Sequence, residues 1–205
     1  LEQINFHNKH TLSRAFKKHF QMSIPVFRKA YSNVACENKI IKQPDCSIKR
    51  IKEIKVAYLK FERTHRNKQG YSTLWGQIIE FAKKYNLADK GFKYVSISLD
   101  SLDITEIDKC RFLIGVTVPY SMEIPKGFGT LNIRAGLYSV FNIKGNYQEL
   151  NKIYRNIYLD WLPNSKYRLR EQMTFELYAN TPDKTSTEEL VTEIYLPIEA
   201  KQKIK

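Results

Sequence analysis

Apolar residues recur along this chain at two different periods, and the places where one period gives way to the other lay out its elements. Near the start, Leu12, Ala15, Phe16, His19 and Phe20 fall three and four positions apart, while Lys9, His10, Ser13, Arg14, Lys17 and Lys18 take the opposite face. That pattern predicts one amphipathic helix from Lys9 to Phe20, with Asn8 as its N-cap. Pro25, Phe27 and Tyr31 predict a short second helix entered through Ser23, with a proline in its first turn and a tight connection at Gln21 and Met22. Residues 32–50 carry Asn38, Pro44, Asp45 and scattered lysines without apolar periodicity, so they read as a linker.

Beyond the linker the period changes. IKVAYLKFERTH (54–65) alternates like a strand, and GYSTLWGQIIEFAKKYNL (70–87) returns to helical spacing through Tyr71, Leu74, Trp75, Ile78, Ala82 and Tyr85. FKYVSISL (92–99) and CRFLIGVTVP (110–119) are again strand-like. The same order then repeats: LNIRAGLYSVFNI (131–143) as a strand, GNYQELNKIYRNIYLDWLP (145–163) as a helix, and QMTFELYA (172–179) and LVTEIYLPI (190–198) as strands. Tyr58 with Phe61 parallels Tyr138 with Phe141, Tyr71 parallels Tyr147, and Pro119 parallels Pro197. An internal duplication of a strand-helix-strand-strand unit follows.

The expected fold class is therefore α+β: a small helix-turn-helix segment, then a duplicated β-α-β-β domain whose helices cover one face of an antiparallel sheet and leave the other concave. The boundaries are 1–31, a linker over 32–50, a domain over 51–198 and a tail over 199–205. With 205 residues, 42% of them hydrophobic and 13% aromatic, the chain is long enough to bury one sizeable core with a small satellite.

Charge changes the picture for the first element only. The formal net charge is +13, and residues 1–50 hold ten Lys/Arg against three Asp/Glu, about half of the excess in a quarter of the length. A concentrated basic face points to an acidic partner. Cys36, Cys46 and Cys110 show neither a paired nor a Cys/His ligand spacing, which fits free thiols in a reducing cytoplasm and predicts no metal and no cofactor. No run of apolar residues is long enough to span a membrane.

In the repeated region the candidate chemistry is one carboxylate. Alternation in TFELYA sets Phe175 and Leu177 on one face, toward the helices, and Thr174, Glu176 and Tyr178 on the other, the open face. Aligning the halves places Ser96 opposite Glu176, so the acid exists in only one copy. Tyr138 and Tyr178 share the open-face parity by alternation; Trp161, near a helix end, and Tyr195 are further candidates for the walls of a ligand cleft.

The order of residues adds two resemblances. Phe6, Asn8, Leu12, Ser13, Arg14, Phe16, Lys17, Lys18, Phe20, Phe27 and Arg28 resemble the second helix-turn-helix of AraC/XylS-family transcriptional regulators, over residues 4–31. The resemblance implies that helix 9–20 enters the major groove of double-stranded DNA, with Lys9, His10, Ser13 and Arg14 toward base edges and Lys17, Lys18 and Arg28 on phosphates. It also implies a longer regulator with a first such motif upstream, and RNA polymerase as a further partner. Trp161-Leu162-Pro163, the Phe175–Tyr178 run and TEIYLPI at Thr192–Ile198 resemble the GyrI-like effector-binding domain, in the arrangement of the Rob-like branch. That implies an aromatic pocket with Glu176 at its floor, binding a small apolar or cationic effector, and a regulator rather than an enzyme. Two alternatives stand beside it: a GyrI-like hydrolase using Glu176 as general acid or base, disfavoured by the lack of a second polar partner near Glu176 in sequence, and a module that binds another protein, favoured if the pocket is filled by its own side chains.

Overall fold

A computed structural model describes residues 9–20, 23–27, 45–62, 70–87, 89–100, 105, 110–182 and 184–201. The chain divides into two compact units, Leu1–Lys42 and Gln43–Lys205.

In the first unit, helix α1 spans Lys9–Phe20, the bounds its periodicity predicts. A turn of helix follows over residues 24–27, where the Phe27 N–H donates to the Ser23 carbonyl at 2.9 Å. Phe16 meets Phe27 edge to face, with ring centroids 5.2 Å apart, and so packs the helix on the turn after it. Ser13, Arg14 and Lys17 are exposed on α1. The side chains of Lys9, His10 and Lys18, and the whole of Arg28, lie outside the described residues.

The second unit is a curled antiparallel sheet of nine strands: β1 (Asp45–Ile51), β2 (Ile54–Glu62), β3 (Tyr94–Ser98), β4 (Arg111–Val118), β5 (Gly129–Ile133), β6 (Gly136–Lys144), β7 (Tyr167–Leu169), β8 (Phe175–Tyr178) and β9 (Val191–Ala200). The order is β1-β6-β9-β8-β3-β4-β2-β5, with β7 paired to β9 beside this path. Helix α2 spans Tyr71–Lys84, and α3, Leu150–Asn156, runs on through a π-helical turn, Ile157–Trp161, to Leu162–Asn164. Asn146 starts this second helical run, its side-chain oxygen accepting the Gln148 N–H at 2.9 Å.

The strand order reads the same outward from its centre: β8-β9-β6 on one side of the β3/β8 pairing, β3-β4-β2 on the other. Ser96 and Glu176, equivalent by the sequence duplication, are direct partners in that pairing, so the pseudo-twofold axis passes through them. The strands at the two edges are exchanged. Only Lys52 and Glu53 separate β1 from β2, yet β1 pairs along its length with β6 of the other half, and β5 pairs with β2.

Three expectations change here. The stretch read as linker contains β1 from Asp45 onward; its alternation is weak because an edge strand buries little, and Ile48, Lys49 and Arg50 are all exposed. LNIRAGLYSVFNI is two strands rather than one, broken at Arg134–Ala135, because β5 pairs with β2 while β6 pairs with β1 and β9. Gly136, at φ +147, begins the second of them in a conformation L side chains rarely adopt. Lastly, the face without helices is not an open concavity. Val56, Ile97, Leu113, Ile133, Tyr138, Val140, Phe175, Leu177 and Tyr195, from strands of both halves, pack together there, because the sheet curls round onto itself.

On the opposite face α2 buries Leu74, Ile78, Phe81 and Ala82 against Ala57, Ile114, Val116 and Val118, and the second helical run buries Leu150, Ile153 and Ile157 against Phe141, Ile143, Ile194, Leu196 and Ile198. Both helices thus cover one face, as the repeat predicts. Among the described residues no helix is long and apolar enough to cross a membrane, and Cys46 and Cys110 are free thiols.

Candidate functional site

Alternation along β8 separates Phe175 and Leu177 from Glu176 and Tyr178 as expected, but the faces are the reverse of the expectation. Phe175 and Leu177 enter the curled core, and Glu176 and Tyr178 face the helices. On the curled side no helix supplies apolar cover, so strand side chains, Phe175 and Leu177 among them, fill it.

Glu176 therefore sits at the centre of the sheet, on the pseudo-twofold axis, between α2 and α3. Tyr154, on α3, donates its hydroxyl to Oε1 at 2.8 Å, and Tyr178, two residues along β8, donates to Oε2 at 2.5 Å. The Tyr178 ring is flanked by Trp75 of α2 at 5.6 Å and by Tyr147, at the start of the second helical run, at 5.3 Å. Trp75 in turn meets Tyr71 and Tyr94 edge to face, and Tyr154 stacks on Tyr158, whose hydroxyl lies 3.1 Å from Thr174 Oγ1. The acid is thus ringed by aromatic groups from both halves of the molecule.

The electrostatics follow from this burial. Removal from water pushes the Glu176 carboxyl above the usual carboxylate range, and the hydrogen bonds from Tyr178 and Tyr154 work against that rise without cancelling it. Burial and the neighbouring carboxylate push the Tyr154 and Tyr178 phenols well up, so both remain O–H donors at neutral pH. Among the described residues no cation pairs with Glu176. As a residue Glu176 keeps some exposure, and Tyr178 beside it is 9% exposed. Aromatic faces around an uncompensated carboxylate attract a cation or a hydrogen-bond donor.

Of the residues predicted for the cleft, the structure brings Glu176 and Tyr178 together and places the others elsewhere. Tyr138 is fully buried on the curled face, its hydroxyl donating to the Arg134 carbonyl at 2.9 Å. Tyr195 lies on that face too, stacked 4.6 Å from Phe175, with its hydroxyl donating to Glu193. Both lie on the face without helices, the one expected for Tyr138, whereas the reversal of β8 carries Glu176 and Tyr178 to the other side. Trp161, in the π-helical turn, packs edge to face on Phe141 and stacks on Tyr167 in the core of the second half. Tyr71, Trp75, Tyr147 and Tyr154 replace them. The signal for Tyr147 and Tyr154 was present: with Tyr158 they recur seven and four positions apart, one stripe of hydroxyl-bearing rings on a helix facing β8. Tyr154 and Tyr178 also supply the polar partners that local sequence around Glu176 was read as lacking.

A family model described as the GyrI-like small molecule binding domain matches residues 44–199. The chain belongs to this family. The matched region starts one residue after the sheet unit, Gln43–Lys205, and lies wholly within it. Its fold is similar to the crystal structure of the EcmrR C-terminal domain, with a TM-score of 0.60, 19% identity, and 77% of this chain and 99% of that one covered. It is also similar to EcmrR in a cryo-EM structure of its DNA complex (TM-score 0.59, 18% identity, 95% of this chain and 74% of that one). A hydrolase from Listeria innocua shares the fold as well, at a TM-score of 0.58 and 9% identity over 77% of this chain and 93% of that one. SAV2435 bound to tetraphenylphosphonium matches at a TM-score of 0.50 and 18% identity, over 76% of this chain and 94% of that one. No curated protein matches the sequence.

Proposed function

We propose that this protein is a DNA-binding transcriptional regulator whose GyrI-like domain takes up a small aromatic effector, cationic or rich in N–H donors, against Glu176. The observation that carries the reading is a largely desolvated carboxylate held by two tyrosine hydroxyls, walled by tryptophan and tyrosine rings and, among the described residues, without a paired cation. The EcmrR structures, one of them a DNA complex, support the regulatory part. So does α1, which exposes Ser13, Arg14 and Lys17 in the positions a groove-reading helix would use. Double-stranded DNA and RNA polymerase are then the partners in the cell, and Lys9, His10, Lys18 and Arg28 complete the DNA-facing set.

The test is selectivity of charge. Glu176→Gln keeps the shape of the side chain and removes its charge, so calorimetry should show weaker binding of tetraphenylphosphonium by about 1–2 kcal/mol and little change for neutral triphenylphosphine oxide. Equal losses for both probes would take Glu176 out of the effector site. Trp75 and Tyr147 both pack on the Tyr178 ring, so an effector would reach Glu176 by turning one of them aside.

A hydrolytic reading also has an observation behind it, since an acid with a raised pKa beside two phenols is an acid–base pair in waiting. Incubation with styrene oxide separates the two: a regulator yields no diol above the uncatalysed rate, whereas diol formation lost in Glu176→Gln would make this protein an enzyme.

A further inference from the structure

On the other face of the sheet from Glu176 a second charged group is left incompletely bonded. Arg170 follows β7, and its guanidinium lies over the Tyr138 ring, 5.0 Å from the centroid. Nη1 donates to the Ala135 carbonyl at 3.1 Å. Nε and Nη2 are covered by the chain, and among the described residues neither has a hydrogen-bond partner. That pair forms the side edge of the guanidinium, the fork that matches two carboxylate oxygens. The same chain shows its use elsewhere: Arg111 donates from Nε and Nη2 to the two oxygens of Asp100, at 2.9 and 2.8 Å. In Arg170 this edge meets no carboxylate, although the guanidinium has the Ala135 carbonyl and the Tyr138 side chain beside it, and covered N–H donors without an acceptor are costly enough to require explanation.

The surroundings are built to keep the group there. A Cβ at Gly136 would lie 2.7 Å from Arg170 Cζ, so glycine at that position makes room for the guanidinium. Arg170 lines an open depression of about 740 Å³ together with Asn132, Arg134, Leu169, Glu171, Gln172 and Met173. Arg134 is exposed, and Leu169 and Met173 are exposed apolar side chains, 45% and 43% accessible. Two cations beside an apolar wall suit a carboxylate carried on an apolar body.

We infer that the depression between the β5–β6 turn and the segment Leu169–Met173 is a second binding site, for a small organic carboxylate whose oxygens take the Nε–Nη2 edge of Arg170. Because that edge is covered, the site fills by a shift of the short segment 170–174, which moves the Arg170 side chain toward the depression.

The experiment is an NMR titration of the full chain with benzoate, benzamide and inorganic phosphate, read at the amides of Gly136 and Met173. Benzoate should bind about tenfold more tightly than its neutral amide, the share of a charge-assisted pair. Phosphate should be weaker than benzoate, having no body for the apolar wall. In Arg170→Gln the preference for benzoate over benzamide should vanish. Since Arg170 also packs on Tyr138, Arg134→Gln provides a second variant at an exposed position: it should weaken benzoate several-fold and leave tetraphenylphosphonium binding as it was. Equal affinity for benzoate and benzamide, no binding of either, a benzoate preference that survives Arg170→Gln, or phosphate as tight as benzoate would each overturn the assignment.

Discussion

Glu176 shows how one residue can carry both the cost and the function of a fold. Its carboxyl is raised by burial above the value of about 4.5 that it has in an open chain. Protons therefore bind the folded protein more tightly than the unfolded one at this site. The stability gained is complete below the open-chain value and is lost as pH rises through the raised folded value. Thermal unfolding of the wild type and Glu176→Gln at acidic and at neutral pH reads this directly: the variant should gain on the wild type as pH rises, and a gap independent of pH would place Glu176 in water. Alternation along TFELYA was enough to separate Glu176 from Phe175, because period two needs no knowledge of neighbours. Which side faces the helices was not legible, since both parities of β8 are flanked by apolar strands. Tyr138 does lie on the face without helices, as its parity predicts, and it is Glu176 and Tyr178 that change sides, so residues expected to share one face are split between two.

At the level of elements, legibility tracked burial. Strands buried on both faces over much of their length, such as β4 and β9, stood out in the hydrophobic pattern. β1 hid in a polar segment and β7, with three residues, was too short to show a period. The helices were clear, although the π-helical turn at Ile157–Trp161 was not, because an inserted residue shifts the stripe without erasing it. β4 offers the sharpest test of how tightly these elements pack. Gly115 lies between Val95 and Tyr58 in the register, and a Cβ there would stand 2.2 Å from the Ala57 carbonyl oxygen. The obstacle is backbone, so it cannot rotate away. Gly115→Ala should lower unfolding free energy by about 1–3 kcal/mol in a denaturant titration, where an ordinary strand position would gain from the same change.

For the whole molecule, duplication explains why one acid lies where it does. A group on a pseudo-twofold axis meets both halves at once, so Glu176 draws rings from α2 and α3 alike, whereas its equivalent, Ser96, shares the position without the charge. Under the proposed regulatory role, exposed cations of α1 such as Arg14 and Lys17 would meet phosphates, so binding of duplex DNA should be weak and steeply salt-dependent. Titrations at two salt concentrations test it, and tight binding insensitive to salt would contradict it. The exchanged edge strands carry a different consequence. β1 belongs to one half by sequence and to the other by pairing, and β5 does the reverse, so each half ends in a clasp that fits only its counterpart. Cutting the exposed Lys126–Gly127 bond would leave two polypeptides, each with an unfilled seat beside β2 or β6 and each holding the strand the other needs. Neither should fold alone, and mixing them should restore the sheet, a natural two-piece lock whose reassembly can be followed by the recovery of tetraphenylphosphonium binding.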